Sequence, residues 1–283
     1  MKDRIHNGYR EAARIARSSG SSFPLTFWLV PPVKRHGMNA IYAFCRLLDD
    51  AVDEAGTISE KHQRLDGLQN AYTDMVQKQC FANDFYAALY DTIHRFTLPL
   101  SPFEELFEGM TADIGDAVRV KDETALWLYC DHVAGTVGRL VIALCGVPES
   151  VGKEYAIWTG RSLQLTNVLR DIRKDLSLTN RIYLPASWLE LHQVSESDLL
   201  TKPAPEKVVA LCQYVGTRCK EAYHRASELR PTAFQRETRF SEALRGVYYK
   251  LFQKMEKSGY HPDVTVRISG IDKLVAGWQG YWN

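Results

Sequence analysis

An all-α fold is predicted by three features of this sequence. Apolar residues recur at helical spacing from end to end, no series of alternating strand-like segments or Asn-Gly hairpins occurs, and glycine and proline cut the chain into pieces of helical length. The punctuation falls at Gly20, Pro31-Pro32, Pro99 with Pro102, Pro148, Pro185, and Pro203 with Pro205. None of these breaks is long enough for a linker, and no internal repeat of fixed period points to a solenoid.

Three long helices stand out in chain order. Gly37 to Glu54 carries Ile41, Phe44, Cys45 and Leu48 on one face. Glu123 to Cys145 reads as one helix running through Ala134-Gly135-Thr136-Val137-Gly138, although each helical glycine costs about 1 kcal/mol relative to alanine. Such a cost points to close packing or to a ligand beside the backbone. Trp158 to Leu176 places Leu163, Leu165, Val168, Leu169 and Ile172 at helical spacing.

Composition narrows the function classes. With 283 residues, 45% hydrophobic, 24% charged and 11 prolines, the chain has a real core and is neither disordered nor collagen-like. Lys plus Arg number 35 against 34 Asp plus Glu, a formal net charge of +1, so no nucleic-acid partner is expected. Six cysteines without a CxxC suggest neither a disulfide framework nor a zinc site, and free thiols in a reducing compartment are expected. The polar N-terminus lacks an apolar signal core, and no run reaches the roughly 18 apolar residues of a membrane span. The expectation is a soluble cytoplasmic protein, with peripheral membrane contact through the region of Phe27 and Trp28 as an open alternative to a core role for those rings.

The strongest chemical signal is a pair of acidic helices. Tyr42, Arg46, Asp49 and Asp53 fall at i, i+4, i+7 and i+11, and Gln164, Asn167, Asp171 and Asp175 at i, i+3, i+7 and i+11, with Arg170 and Arg173 beside them. A lone Asp-x-x-x-Asp is weak, since about one is expected by chance and most are solvated faces. Two copies, each with polar donors aligned on the same face, call for a counter-charge. Mg2+, with Mn2+ as a substitute, prefers oxygen ligands and is held by one or two carboxylates plus water and substrate phosphate. A diphosphate held between the two helices through metal follows, provided the helices face each other.

These residues, with Ser18-Ser19-Gly20-Ser21-Ser22-Phe23, AIYAFCRLLDDAVDE (Ala40 to Glu54), VAGTVG (Val133 to Gly138), LQLTNVLRDIRKD (Leu163 to Asp175) and RIYLP (Arg181 to Pro185), resemble the squalene/phytoene synthases, the head-to-head class of trans-isoprenyl diphosphate synthases. The resemblance covers nearly the whole chain. It implies one all-helical domain over residues 1–283, an isoprenoid synthase-type bundle around a central cavity with a polar mouth and an apolar interior. By the same resemblance Asp49, Asp53, Asn167, Asp171 and Asp175 hold magnesium, and Ser22, Phe23, Tyr42, Arg46, Gln164 and Arg170 serve the diphosphate or its ligands. Tyr129 lies near the reacting carbons; Tyr249, Arg267 and Lys273 match the C-terminal phosphate-side residues. Val133, Ala134, Gly135 and Val137 are the small, unreactive walls of a dry cavity, with close helix packing as the alternative.

The implied reaction joins two prenyl diphosphates, the lost proton passing to released diphosphate rather than to any of the eight histidines. SGSSF followed by FWLVPP looks most like the bacterial presqualene diphosphate synthases of the hopanoid pathway, acting on two farnesyl diphosphates. The alternatives are a phytoene synthase using geranylgeranyl diphosphate, and an NADPH-dependent squalene synthase. NADPH use is not expected, since no GxGxxG occurs and the chain ends at Trp282-Asn283 without an anchor. Downstream isoprenoid enzymes are the implied protein partners, and a helical binding protein that has lost turnover is the non-enzyme alternative. Departures from the family pattern are Arg173-Lys174 in place of Gly-Glu, Asn180-Arg181 in place of Gly-Arg, and Gly20 where many relatives have serine. Lys174 either pairs with Asp175 or is solvated.

Overall fold

The computed structural model describes residues 1–19 and 23–282. Among these, helices α1 (Lys2–Ser18), α2 (Pro32–Asp53), α3 (Ile58–Lys78), α4 (Asp84–Arg95) and α5 (Ser101–Ala112) precede α6 (Glu123–Cys130), α7 (Thr136–Cys145) and the long α8 (Glu149–Thr179). The chain continues through α9 (Ala186–Leu191), α10 (Glu196–Leu200), α11 (Glu206–Glu228), α12 (Gln235–Lys257) and α13 (Gly270–Trp282). Prolines start helices as their fixed φ and missing N–H dictate. Pro32 opens α2, Pro102 lies in the first turn of α5, and Pro148, Pro185 and Pro205 are the N-caps of α8, α9 and α11.

Two large apolar cores form, beside a small cluster of Ile142, Val147, Tyr155 and Ala156. One gathers Phe44 of α2, Phe85 of α4, Phe103 of α5 and Leu140 of α7; the other gathers Leu126 of α6, Leu165 of α8, Leu211 of α11 and Phe252 of α12. The two acidic helices therefore belong to different cores, and a small piece of β-structure follows the second of them. Val118–Arg119 pairs in parallel with Arg181–Ile182, tying the segment after α5 to the end of α8.

Glu123 to Cys145 runs on as expected, with one π turn at Asp131–Gly135 between α6 and α7. The stretch is apolar and long enough to cross a membrane, yet half of it is buried inside the protein, as in a core helix. Close packing on α8 requires the glycine at 138, and at 135 it is the facing Gly160 that must be bare. A Cβ on Gly160 would lie 2.5 Å from the Gly135 nitrogen, and one on Gly138 would lie 2.7 Å from the Ala156 carbonyl oxygen. Backbone meets backbone at both points, and the close approach offsets the helical cost of the glycines.

Candidate active site

On α2, the half-buried Asp49 sits in a field of carboxylates. Burial, reinforced by Asp53, pushes its acid up to about 7 against the pull of Arg46, and Asp50 and Asp113 add to the repulsion. Arg46 is itself engaged by Asp50 one turn on. Tyr42 lies beneath the aromatic cluster of Phe23 and Phe27, with ring centroids 5.5 and 6.1 Å away. Ser22 lies outside the described residues.

On α8, Arg170 grips the Asp171 carboxylate, its Nε 2.9 Å from Oδ1. Burial and the neighbouring Asp171 raise Asp175 to about 6, opposed by Lys174, Arg181 and Arg170. Lys174 thus acts on Asp175 through its charge. The Asn167 amide nitrogen is 3.4 Å from Gln164 Oε1, while the buried Asn167 Oδ1 has no hydrogen-bond partner. α12 brings Tyr248 to this group: burial raises its phenol above the ordinary range, while the Arg170 charge and the Asn167 side chain pull it back.

A cleft of about 560 Å³ opens between α8, α12 and the segment leading to α13. Arg170, Asp171, Lys174, Tyr248, Arg267 and Lys273 line it, which puts the C-terminal Arg267 and Lys273 in one cleft with residues of the second acidic helix. Arg173 turns away from the aspartates. It donates to the Leu199 and Thr201 carbonyls at 2.8 and 2.7 Å and pairs with Asp263, fixing the segment that walls the cleft.

The link between the helices is a group that spacing does not reveal. Arg181 donates 2.7 Å to the Asp53 carboxylate and 3.0 Å to the Asp113 main-chain carbonyl, and its charge also acts on Asp175. The Asp113 carboxylate accepts from Tyr183 at 3.0 Å and from Tyr129 at 3.3 Å, and those two rings stack at 4.6 Å. Burial raises Asp113 to about 6 while Arg181 and Tyr183 hold it down. Of Arg181, Asp113, Tyr183 and Tyr129, only Tyr129 is a sequence-predicted site residue. RIYLP marks Arg181 and Tyr183 as motif residues without giving them a role, and nothing in the local pattern marks Asp113.

Two expectations need correction. The resemblance points to Tyr249, but α12 turns that ring to Tyr223 and Phe252, with centroids 5.0 and 6.0 Å away, and Tyr248 occupies the acidic site. Neighbours on a helix diverge by about 100°, so the Tyr-Tyr doublet is resolved only by the packing. Ala134 and Gly135 lie at the crossing with α8, where Gly160 abuts their backbone, and Val133 faces Gly109 of α5. None of the three lines the cleft. Close packing accounts for Gly138 and for the approach of Gly160 to Gly135, while Val133, Ala134 and Val137 stay half-buried.

Among the described residues no three His, Cys, Asp or Glu side chains converge to form a closed metal site. The donor set still fits a hard cation that keeps water and takes oxygen ligands from both protein and substrate. Asn167 offers a buried oxygen with no partner, and burial with a neighbouring carboxylate leaves Asp49 and Asp175 raised above the ordinary carboxylate range, as a site awaiting a counter-charge would be.

Asp113 gives a pH prediction in which the four paired aspartates all keep their carboxylates. Its acid rises from 3.8 to about 6 on folding, so its stabilising contribution is complete below pH 3.8 and lost as pH rises through about 6. Asp113→Asn is expected to flatten the decline in unfolding temperature across that window. An unchanged profile measured by calorimetry without divalent metal would contradict it.

Residues 16–272 match the family model for squalene/phytoene synthase. With the all-helical frame, this makes the protein a prenyltransferase of the class that works on prenyl diphosphates. The chain belongs to the squalene/phytoene synthase family. It is 30% identical to a presqualene diphosphate synthase of Rhodopseudomonas palustris over 272 residues, covering 95% of this chain and 96% of the relative. It is 29% identical to a phytoene synthase of Mycobacterium bovis over 274 residues, covering 95% and 89%. The crystal structure of squalene synthase HpnC from Alicyclobacillus acidocaldarius superposes with a TM-score of 0.82 at 26% identity, covering 91% of this chain and 96% of that one.

Proposed function

We propose that the protein condenses two farnesyl diphosphates head to head to give presqualene diphosphate. The observation that carries this is the near full-length similarity to the Rhodopseudomonas presqualene diphosphate synthase. The paired aspartate helices, with a cationic cleft at one of them, supply the residues such a reaction needs.

In this reading Arg170, Lys174, Arg267 and Lys273 bind and orient a diphosphate in the cleft, and Tyr248 positions Asn167. Asp49, Asp53, Asp171, Asp175 and Asn167 hold Mg2+, which when bound neutralises charge on the departing diphosphate. The C–O bond of one substrate breaks and its electron pair leaves with diphosphate. The double bond of the second substrate adds to the resulting allylic cation, and loss of a proton to the released diphosphate closes the cyclopropane. Tyr129, stacked on Tyr183 and donating to Asp113, is a rigid neutral wall at this point, its hydroxyl proton held firmly by burial.

The similarity to the Mycobacterium phytoene synthase over 95% of the chain supports a second reading, in which two geranylgeranyl diphosphates give phytoene by the same chemistry. Purified protein with magnesium and either substrate, with and without NADPH, separates the two by mass spectrometry. The expected result is presqualene diphosphate from farnesyl diphosphate, unchanged by NADPH. Phytoene from the longer substrate would replace the product assignment, squalene appearing only with NADPH would add a reductive step, and no product at all would favour a binding protein.

A further inference from the structure

The C-terminal helix α13 is built inside out for a helix that faces water. Its inward face is small: Ala276 and Gly277 are buried, and a Cβ on Gly280 would lie 2.3 Å from the Glu242 carbonyl oxygen of α12. Its outward face carries Ile271, Leu274, Val275, Trp278 and Trp282, at i, i+3, i+4, i+7 and i+11. Ile271 is 75% exposed and the others 50–55%. Trp28, also half exposed, extends the patch by stacking on Trp278 with centroids 6.3 Å apart and planes 6° from parallel. Isolated exposed apolar residues need no explanation, but a continuous stripe of this kind does.

We propose that α13 and Trp28 form a docking surface for a lipid bilayer, lying in the interface with the stripe among the acyl chains. Three observations favour lipid as the occupant. The patch is rich in tryptophan, the residue whose apolar body and polar N–H suit the water–lipid boundary. Its border is cationic: Arg239 stands over the Trp282 ring at 4.7 Å, exposed Arg267 precedes the helix, and the acidic Asp272 is neutralised by Lys254 at 2.9 Å. A border of that sign complements anionic headgroups. Thirdly, the patch is continuous with the cleft, since Val247 and Lys273 line both the cleft and the slot beneath Trp28 and Trp278.

The third observation rests on the proposed function, because only an amphiphilic substrate with a hydrocarbon tail gains from a cleft that opens beside a membrane. Docking would let the prenyl chain pass between bilayer and protein without crossing water. Vesicle binding tests the surface with no turnover involved, so its failure and a failure of the product assay are read separately.

The full chain is incubated with extruded vesicles of phosphatidylcholine alone or mixed with phosphatidylglycerol, and sedimented. The expected result is co-sedimentation with the anionic vesicles, a blue shift of tryptophan emission, and weakening by salt. Ile271→Gln/Val275→Gln/Trp278→Gln should lower the partition by about tenfold or more at an unchanged unfolding temperature. If that variant loses its fold, Ile271→Gln/Val275→Gln, which leaves the tryptophan stack intact, decides with a smaller loss. A wild-type chain that stays in the supernatant overturns the proposal, as do folded variants that sediment like wild type. A concentration-dependent dimer that the variants abolish, with no vesicle binding, also overturns it and makes the face a contact between copies.

Discussion

Asp49→Asn and Asp171→Asn are each expected to lower turnover by about a hundred- to a thousandfold, the scale on which removing one preorganised electrostatic group is felt in a charged transition state. The diagnostic feature is stability moving in the other direction. Asp49 is half-buried among Asp50, Asp53 and Asp113, and its acid is raised to about 7, so in the absence of metal its charge is a burden on the fold. Asparagine keeps the shape and removes that charge, and the unfolding temperature of Asp49→Asn in chelator should match or exceed that of wild type. Asp171 differs because Arg170 holds it, so Asp171→Asn should cost a little stability while helicity by circular dichroism stays the same. The stabilisation that magnesium with a non-hydrolysable farnesyl diphosphate analogue gives to wild type should disappear in both. Near-normal turnover in both variants would sink the assignment of the aspartates to metal and diphosphate.

What the sequence makes legible here is whatever lies on one helix. Apolar spacing reveals α2 and α8, although the starts read at Gly37 and Trp158 fall inside helices that begin at Pro32 and Glu149, and the period of each acidic face puts Tyr42, Arg46, Asp49 and Asp53, or Asn167, Asp171 and Asp175, together without reference to the rest of the chain. Groups assembled across elements are not legible in this way. Asp113 ends up beside Tyr129 and Tyr183 because the pairing of Val118–Arg119 with Arg181–Ile182 closes a long loop, and no local period encodes that pairing. The choice of Tyr248 over Tyr249 likewise depends on which face of α12 meets α8. Arg173 shows the same limit. Its position next to the aspartates suggests a basic edge to the site, whereas its guanidinium is taken up by the Leu199 and Thr201 carbonyls and by Asp263 in the wall of the cleft. At Ala134 and Gly135 the sequence leaves two readings open, since a small-residue patch looks the same whether its neighbour is a ligand or another backbone. Gly160 supplies the backbone.

Arg181→Met is expected to change how the site responds to metal. In the ligand-free protein Arg181 is the counter-charge shared by the two aspartate helices, bonded to Asp53 and acting on Asp175. A divalent cation arriving at Asp53 competes with it. Removing the guanidinium leaves the Asp113 carbonyl without its donor and Asp53 without its partner. Asp53 is 51% exposed, so water takes over much of its charge and the loss is well below that of a fully buried pair. The expected cost is about 1–3 kcal/mol, mostly from the orphaned carbonyl, or a fall of several degrees in unfolding temperature in chelator. Magnesium should then raise the unfolding temperature of Arg181→Met more than that of wild type, because the cation meets aspartates with no resident competitor. Arg181→Lys, which keeps the charge but has a single ammonium in place of the fork, should lose part of the stability and keep the wild-type magnesium response. If calorimetry shows the same magnesium response in Met, Lys and wild type, Arg181 is a structural anchor for the end of α8 and does not control access of cations to Asp53.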